Sequence, residues 1–136
     1  MRNKGFTLIE VLAVVGLLAI IITIFVPNTI KLVKQNNLKV YKIKEKELLT
    51  AAEDYANYDN NFKAPEAGET KYISMTQLVN GGYMNAILDS SSGNECNAFV
   101  KVTKSSLSGY DYEPCLLCEE YQTDKPFCSL STYNEL

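Results

Sequence analysis

Apolar positions along this 136-residue chain follow three different patterns. From Phe6 to Val26 the sequence reads FTLIEVLAVVGLLAIIITIFV, apolar on every side, with Glu10 as its one charged residue. As a helix rising about 1.5 Å per residue, this run is about 30 Å long, the thickness of a bilayer's hydrocarbon core. A helix is required there, because lipid offers no partner for backbone groups. Past Pro27 the pattern becomes one-sided. Ile30, Val33, Val40, Tyr41, Leu48, Ala52 and Tyr55 recur at spacings of three, four and seven, while Lys31, Lys34, Lys39, Lys42 and Lys46 take the opposite face. No glycine or proline interrupts Asn28 to Phe62. The pattern predicts one helix from about Phe6 to Tyr58, kinked at Pro27 and ended by Asp59-Asn60-Asn61. Its outer half is expected to lay the apolar stripe on a core.

The third pattern is short and broken. Lys63 to Thr70 reads as a loop around Pro65 and Gly68. Ser74 is placed to cap a short helix bearing Met75, Leu78 and Val79, ended by Gly81-Gly82. Asp89 to Asn94 is a turn. Two strands are predicted, at Ala98–Thr103 and Tyr110–Glu113, joined by the hairpin loop Ser105–Gly109. A third is expected near Tyr121 or Phe127. Helix first and sheet last gives an α+β fold: a long N-terminal helix, membrane-spanning in its first half, packed on a small antiparallel sheet.

Glu10 decides between readings of the apolar run. A secretory signal has a shorter core and a small-residue cleavage site, which Val26-Pro27-Asn28 does not supply. A plain anchor fits the length but not the carboxylate, which costs at least ~2.5 kcal/mol in the apolar layer when unpaired. The third reading uses the flanks. MRNKG (Met1–Gly5) is short and basic, and the sequence continues Phe6-Thr7-Leu8-Ile9-Glu10-Val11. This GFTLIEV stretch resembles the processing site of type IV prepilins and pseudopilins. The resemblance covers residues 1–30. It implies cleavage after Gly5 by a dedicated membrane peptidase, which also methylates the new amine of Phe6. It implies an assembly role for Glu10, and it places a proline where Pro27 stands. Gly16 is the one glycine of the run, well before Pro27, and the resemblance raises the question of whether the helix loosens between them.

The expected organisation is a leader at 1–5, a transmembrane and assembly helix at 6–27, an amphipathic helix at 28–58 and a globular head at 59–136. The implied function is a structural subunit (major or minor pilin, or pseudopilin) of a type IV pilus-like filament. Implied partners are further copies, other pilin-like subunits, the prepilin peptidase/methyltransferase, the machine's inner assembly platform and the membrane. The precursor would cross the membrane once with its head outside, then pass into a surface or envelope filament. The six lysines between Lys31 and Lys46, against Arg2 and Lys4 before the run, would by themselves favour a cytoplasmic C-terminus. Alternatives are a ligand-binding tip protein, a secretion or DNA-uptake pseudopilin, and an anchored receptor domain that never assembles. Abundance in purified filaments separates these.

Charge and chemistry narrow the rest. Residues 59–136 carry eleven acids and five lysines, against a nucleic-acid surface built on phosphate neutralisation. The lysine stretch reads as a solvated face, as charge matched to acidic neighbours in an assembly, or as a membrane-surface helix. Without histidine there is no Ser-His-Asp or Cys-His arrangement and no imidazole ligand, and no phosphate-binding glycine motif occurs. No enzyme activity, cofactor or metal is expected.

Four cysteines, Cys96, Cys115, Cys118 and Cys128, lie beyond the apolar run and suggest disulfides in an oxidising compartment. With the hairpin centred near Leu107, Cys96 and Cys118 are each eleven residues from it and become candidates for facing positions. Cys115 would then join Cys128. The other two pairings stay open, as does a four-cysteine zinc site, although Cys115-Leu116-Leu117-Cys118 lacks a second close pair. A redox-active CxxC is disfavoured by its place at a strand end.

Overall fold

The computed structural model describes residues 4–136, and for residues 26–36 the backbone alone. The chain divides into two compact units, Met1–Asn37 and Leu38–Leu136. Helix α1 (Leu8–Tyr58) contributes to both and is α-helical throughout, Gly16 and Pro27 included. The side chains of Ile30, Val33, Lys31 and Lys34 lie outside the described residues, and Pro27, where a kink was expected, lies inside the continuous helix.

The second unit is built on a three-stranded antiparallel sheet of order β1-β2-β3: β1 (Thr70–Ser74), β2 (Asn97–Lys104) and β3 (Tyr110–Leu117). The fold is therefore α+β, with an apolar N-terminal helix followed by a small antiparallel sheet. Between β1 and β2 lies α2 (Met75–Asn80), and α3 (Leu130–Asn134) closes the chain. Ser74 caps α2 in a capping box, its hydroxyl accepting from the Gln77 amide while the Gln77 side chain accepts from the Ser74 amide. Gly81 packs so closely on the Tyr83 ring that an added Cβ would lie 2.8 Å from it.

Both faces of the sheet are covered, because side chains alternate across a strand. Ala98, Val100 and Val102 of β2, with Leu116 of β3, point towards Tyr41, Leu48, Ala51, Ala52 and Tyr55 of α1. Phe99, Cys115 and Leu117 point the other way, onto Cys128, Phe127 and Tyr133. Strand β2 thus lies between the helix and the C-terminal segment.

The third strand of the sheet is Thr70–Ser74, before α2. The sequence led us to expect it near Tyr121 or Phe127, whereas near Tyr121 the chain forms a single antiparallel bridge of Gln122 with Leu117. The two aromatics pack by their rings. Tyr121 stacks on Tyr41 with centroids 4.6 Å apart, and Phe127 meets Phe99 edge-on at 6.0 Å. Strand β3 also continues past Glu113 through Pro114, which a sheet edge tolerates. Val40 departs from the expected stripe and is 37% exposed. Adjacent helical residues diverge by about 100°, and Tyr41 takes the buried position.

Candidate functional site

The residues expected to carry processing and assembly lie in the first unit. Residues 4–7 precede α1 and are not helical, so the Gly5–Phe6 bond lies in open chain ahead of the helix. Gly5 is exposed, and Phe6 is 83% exposed. Among the described residues nothing lies within 4 Å of a Cβ built on Gly5, and its φ is not left-handed. The fold of this chain therefore does not require glycine there, and a demand for one would come from outside it.

Thr7 starts the helix. Its carbonyl accepts from the amides of Glu10 and Val11, and its hydroxyl accepts from the Glu10 amide at 3.3 Å. Thr7-Leu8-Ile9-Glu10 thus has the S/T-x-x-E spacing of a capping box, with its forward half formed. The sequence contained that signal, although the motif drew attention to Glu10 for another reason. An acid in the first turn is also favoured by the helix dipole, by about 0.3–1 kcal/mol.

The stretch Leu8–Phe25 is long and apolar enough to cross a membrane, and none of it is buried within the chain. It holds two polar side chains, Glu10 and Thr23. Thr23 satisfies itself by donating its hydroxyl to the Ile20 carbonyl at 2.8 Å. The Glu10 carboxylate has no partner among the described residues. A concave surface of Phe6, Glu10, Val11, Val14 and Val15 lies beside it.

In the head the structure joins Cys96 to Cys118 and Cys115 to Cys128. Asn97 pairs with Leu117 in the β2–β3 register, which sets Cys96 and Cys118 opposite each other one step on, with Cα atoms 4.6 Å apart. Parity places the two bridges on opposite faces of the sheet. Cys96 belongs to the helix-side core, while Cys115 and Cys128 belong to the other. Asp89 lies beside Cys96 and Cys118. Both sulfurs are committed to a disulfide, so neither is a thiolate ligand.

Two buried carboxylates were not singled out from sequence. Asp89 accepts from the Tyr41 hydroxyl at 2.7 Å, the Ser91 hydroxyl and amide, and the amides of Glu119 and Glu120. These bonds, led by the Ser91 hydroxyl, outweigh burial and hold its carboxyl well below the usual range. Glu45 accepts from the Tyr121 and Thr123 hydroxyls, each at 2.6 Å. Burial, then the bond to Glu45, pushes Tyr121 up to about 12. Burial and the bond to Asp89 likewise raise Tyr41. Together they fasten the segment after β3 to α1. Lys44 adds a hydrogen bond from Nζ to the Leu88 carbonyl. The signals were present: Asp89 opens the turn DSSSGN, and Glu45 is the lone acid of the lysine run, one turn from Tyr41 and Leu48.

Residues 1–26 match the family model described as the prokaryotic N-terminal methylation motif. The N-terminal segment is therefore of the prepilin type, and with the α+β fold it makes the chain pilin-like. The chain is also similar to the type IV major pilin protein PilA of Myxococcus xanthus (strain DK1622), 35% identical over 75 residues, covering 49% of this chain and 34% of that protein. The chain spans about a third of the length of the curated relative it matches. No solved structure matches it.

Proposed function

We infer that the chain is made as a single-pass membrane precursor, cut between Gly5 and Phe6, methylated on Phe6, and polymerised through its N-terminal helix into a type IV pilus-type filament. The observation that carries this reading is the Glu10 carboxylate, without a partner among the described residues, in the stretch Leu8–Phe25, which is unburied and apolar but for Glu10 and the self-satisfied Thr23. Lipid can receive the apolar surface but not the charge. A bundle of identical helices can receive both, if each Glu10 meets the Phe6 amine of an adjoining subunit. The head, fastened by two disulfides and two buried carboxylates, would then cover the outside of the bundle. The domains follow: leader 1–5, assembly helix 6–27, amphipathic helix 28–58 and head 59–136. Partners are further copies, other pilin-like subunits, the processing peptidase and the assembly platform.

Gly5→Val tests the processing step. Because a Cβ at Gly5 would meet nothing within 4 Å among the described residues, the variant should fold and insert normally. The added side chain would crowd the bond the peptidase must reach. Uncut precursor should accumulate in the membrane, read as an unshifted band on immunoblots. Mature protein beginning at Phe6 at wild-type levels would refute the assignment of the leader.

A further inference from the structure

The outer face of α1 in the head carries its charge in two separate blocks. Lys39, Lys42 and Lys46 are exposed at the end nearer the apolar run, and Glu53 and Asp54 are exposed at the far end. The spacings three, four and seven put Lys39, Ile43, Lys46 and Glu53 on one ridge, with Lys42 and Asp54 on its flanks. This ridge is opposite the stripe of Tyr41, Leu48, Ala52 and Tyr55 that faces the sheet. None of the five charged groups forms an ion pair among the described residues. Ile43, set between the lysines, is 66% exposed. Glu47 lies at the edge of the basic block and leaves it net positive.

We propose that this ridge docks a second copy of the chain in a staggered, parallel arrangement, the basic block of one subunit lying against Glu53 and Asp54 of the next. The inference rests on the filament reading above. Subunits drawn from one membrane in one orientation are parallel, which excludes the antiparallel pairing that would also match the charges. Parallel copies in register would set lysine against lysine. An axial offset removes that conflict. Lys46 and Glu53 are seven residues apart and Lys39 and Glu53 fourteen, so offsets of about 10–21 Å bring opposite charges together at 1.5 Å per residue. The contact is head-to-tail: each subunit offers its basic end to one neighbour and its acidic end to another, so growth does not close on itself. Ile43 gains cover in the same contact.

The test uses full-length chain expressed in its native cells, with sheared filaments as the readout. Lys46→Glu alone and Glu53→Lys alone should each lower filament yield at least about tenfold, since each sets like charges against one another. The double variant carrying both exchanges restores opposite charges and should return to at least a third of wild type. All three should keep normal membrane levels and both disulfides, because these side chains are on the solvent face. Carbodiimide treatment of wild-type filaments should join Lys39, Lys42 or Lys46 to Glu53 or Asp54 between chains, identified by mass spectrometry. Wild-type filament yields from the single variants, or a double variant no better than either single, would overturn the proposal while leaving the filament reading intact. Filaments that lack the wild-type chain altogether would overturn both.

Discussion

Glu10→Ala is expected to insert in the membrane and lose its leader like the wild type, yet to be scarce in sheared filaments. Replacing the carboxylate makes the apolar run more apolar, so insertion does not suffer. The Thr7 hydroxyl still accepts from the backbone amide of residue 10, so the start of the helix survives. What disappears is the anion that the amine of an adjoining Phe6 would meet. Where water is scarce the two charges attract strongly, and desolvation offsets much of that gain. The pair therefore matters less as glue than as a gauge of register. Leaving either charge buried alone costs about 3–5 kcal/mol, so a misplaced subunit is rejected. Expressed beside wild-type subunits, Glu10→Ala should be depleted in fibres by at least ~10-fold relative to its share of the membrane pool, as a loss of that size implies. Glu10→Gln, which keeps the shape without the charge, should behave like Glu10→Ala. Equal incorporation of either variant would remove Glu10 from assembly and leave apolar packing as the sole driver.

Asp89→Ala should be the most damaging single change in the head. It strands the Tyr41 hydroxyl, the Ser91 amide and the amides of Glu119 and Glu120 together. The Tyr41 bond is buried and the amide bonds partly so. A buried donor left without a partner costs about 1–3 kcal/mol and a partly exposed one less, so the expected total is about 2–4 kcal/mol. Denaturant unfolding of the detergent-solubilised chain measures it. The same group sets an acid limit. Its pKa is lower in the folded state, so the head gains stability from it above the ordinary carboxylate range. That gain fades as the pH falls below about 5 and towards the folded value. Tyr121 sets the opposite limit. Its pKa is raised to about 12, so its contribution is complete below about pH 10 and disappears as the pH rises through the folded value. Asp89→Ala should flatten the acid limb and leave the alkaline limb in place. An unchanged acid limb would show that Asp89 does not link the head to pH.

Much of this architecture was legible because it rests on local rules. An unbroken apolar run and a three-four-seven stripe demand one long helix. Ser74 with Gln77 spells out a capping box. A hairpin centred on Leu107 follows from two β-rich segments around Ser105–Gly109, and the register from Lys104–Tyr110 to Asn97–Leu117 has that centre. The long-range contacts were not legible. Thr70–Ser74 is too short and too mixed to declare itself a strand, because Ile73 and Tyr72 serve cores on opposite faces. The aromatics expected in a third strand instead cover α1 and Phe99. Glu45 and Asp89 resembled surface acids, since nothing local shows that Tyr121, Thr123 and the Glu119–Glu120 amides will come to meet them. At the N-terminus the relevant residues are contiguous, from Gly5 to Glu10, and could be read as one motif.

The intact mass and N-terminal sequence of the chain recovered from sheared surface filaments test the central claim most directly. The expected sequence begins at Phe6, and the mass is lower than that of the uncut chain by the residues Met1–Gly5, with two disulfides and one added methyl group. A chain that begins at Met1, or that is found in the membrane fraction and never in filaments, would contradict it.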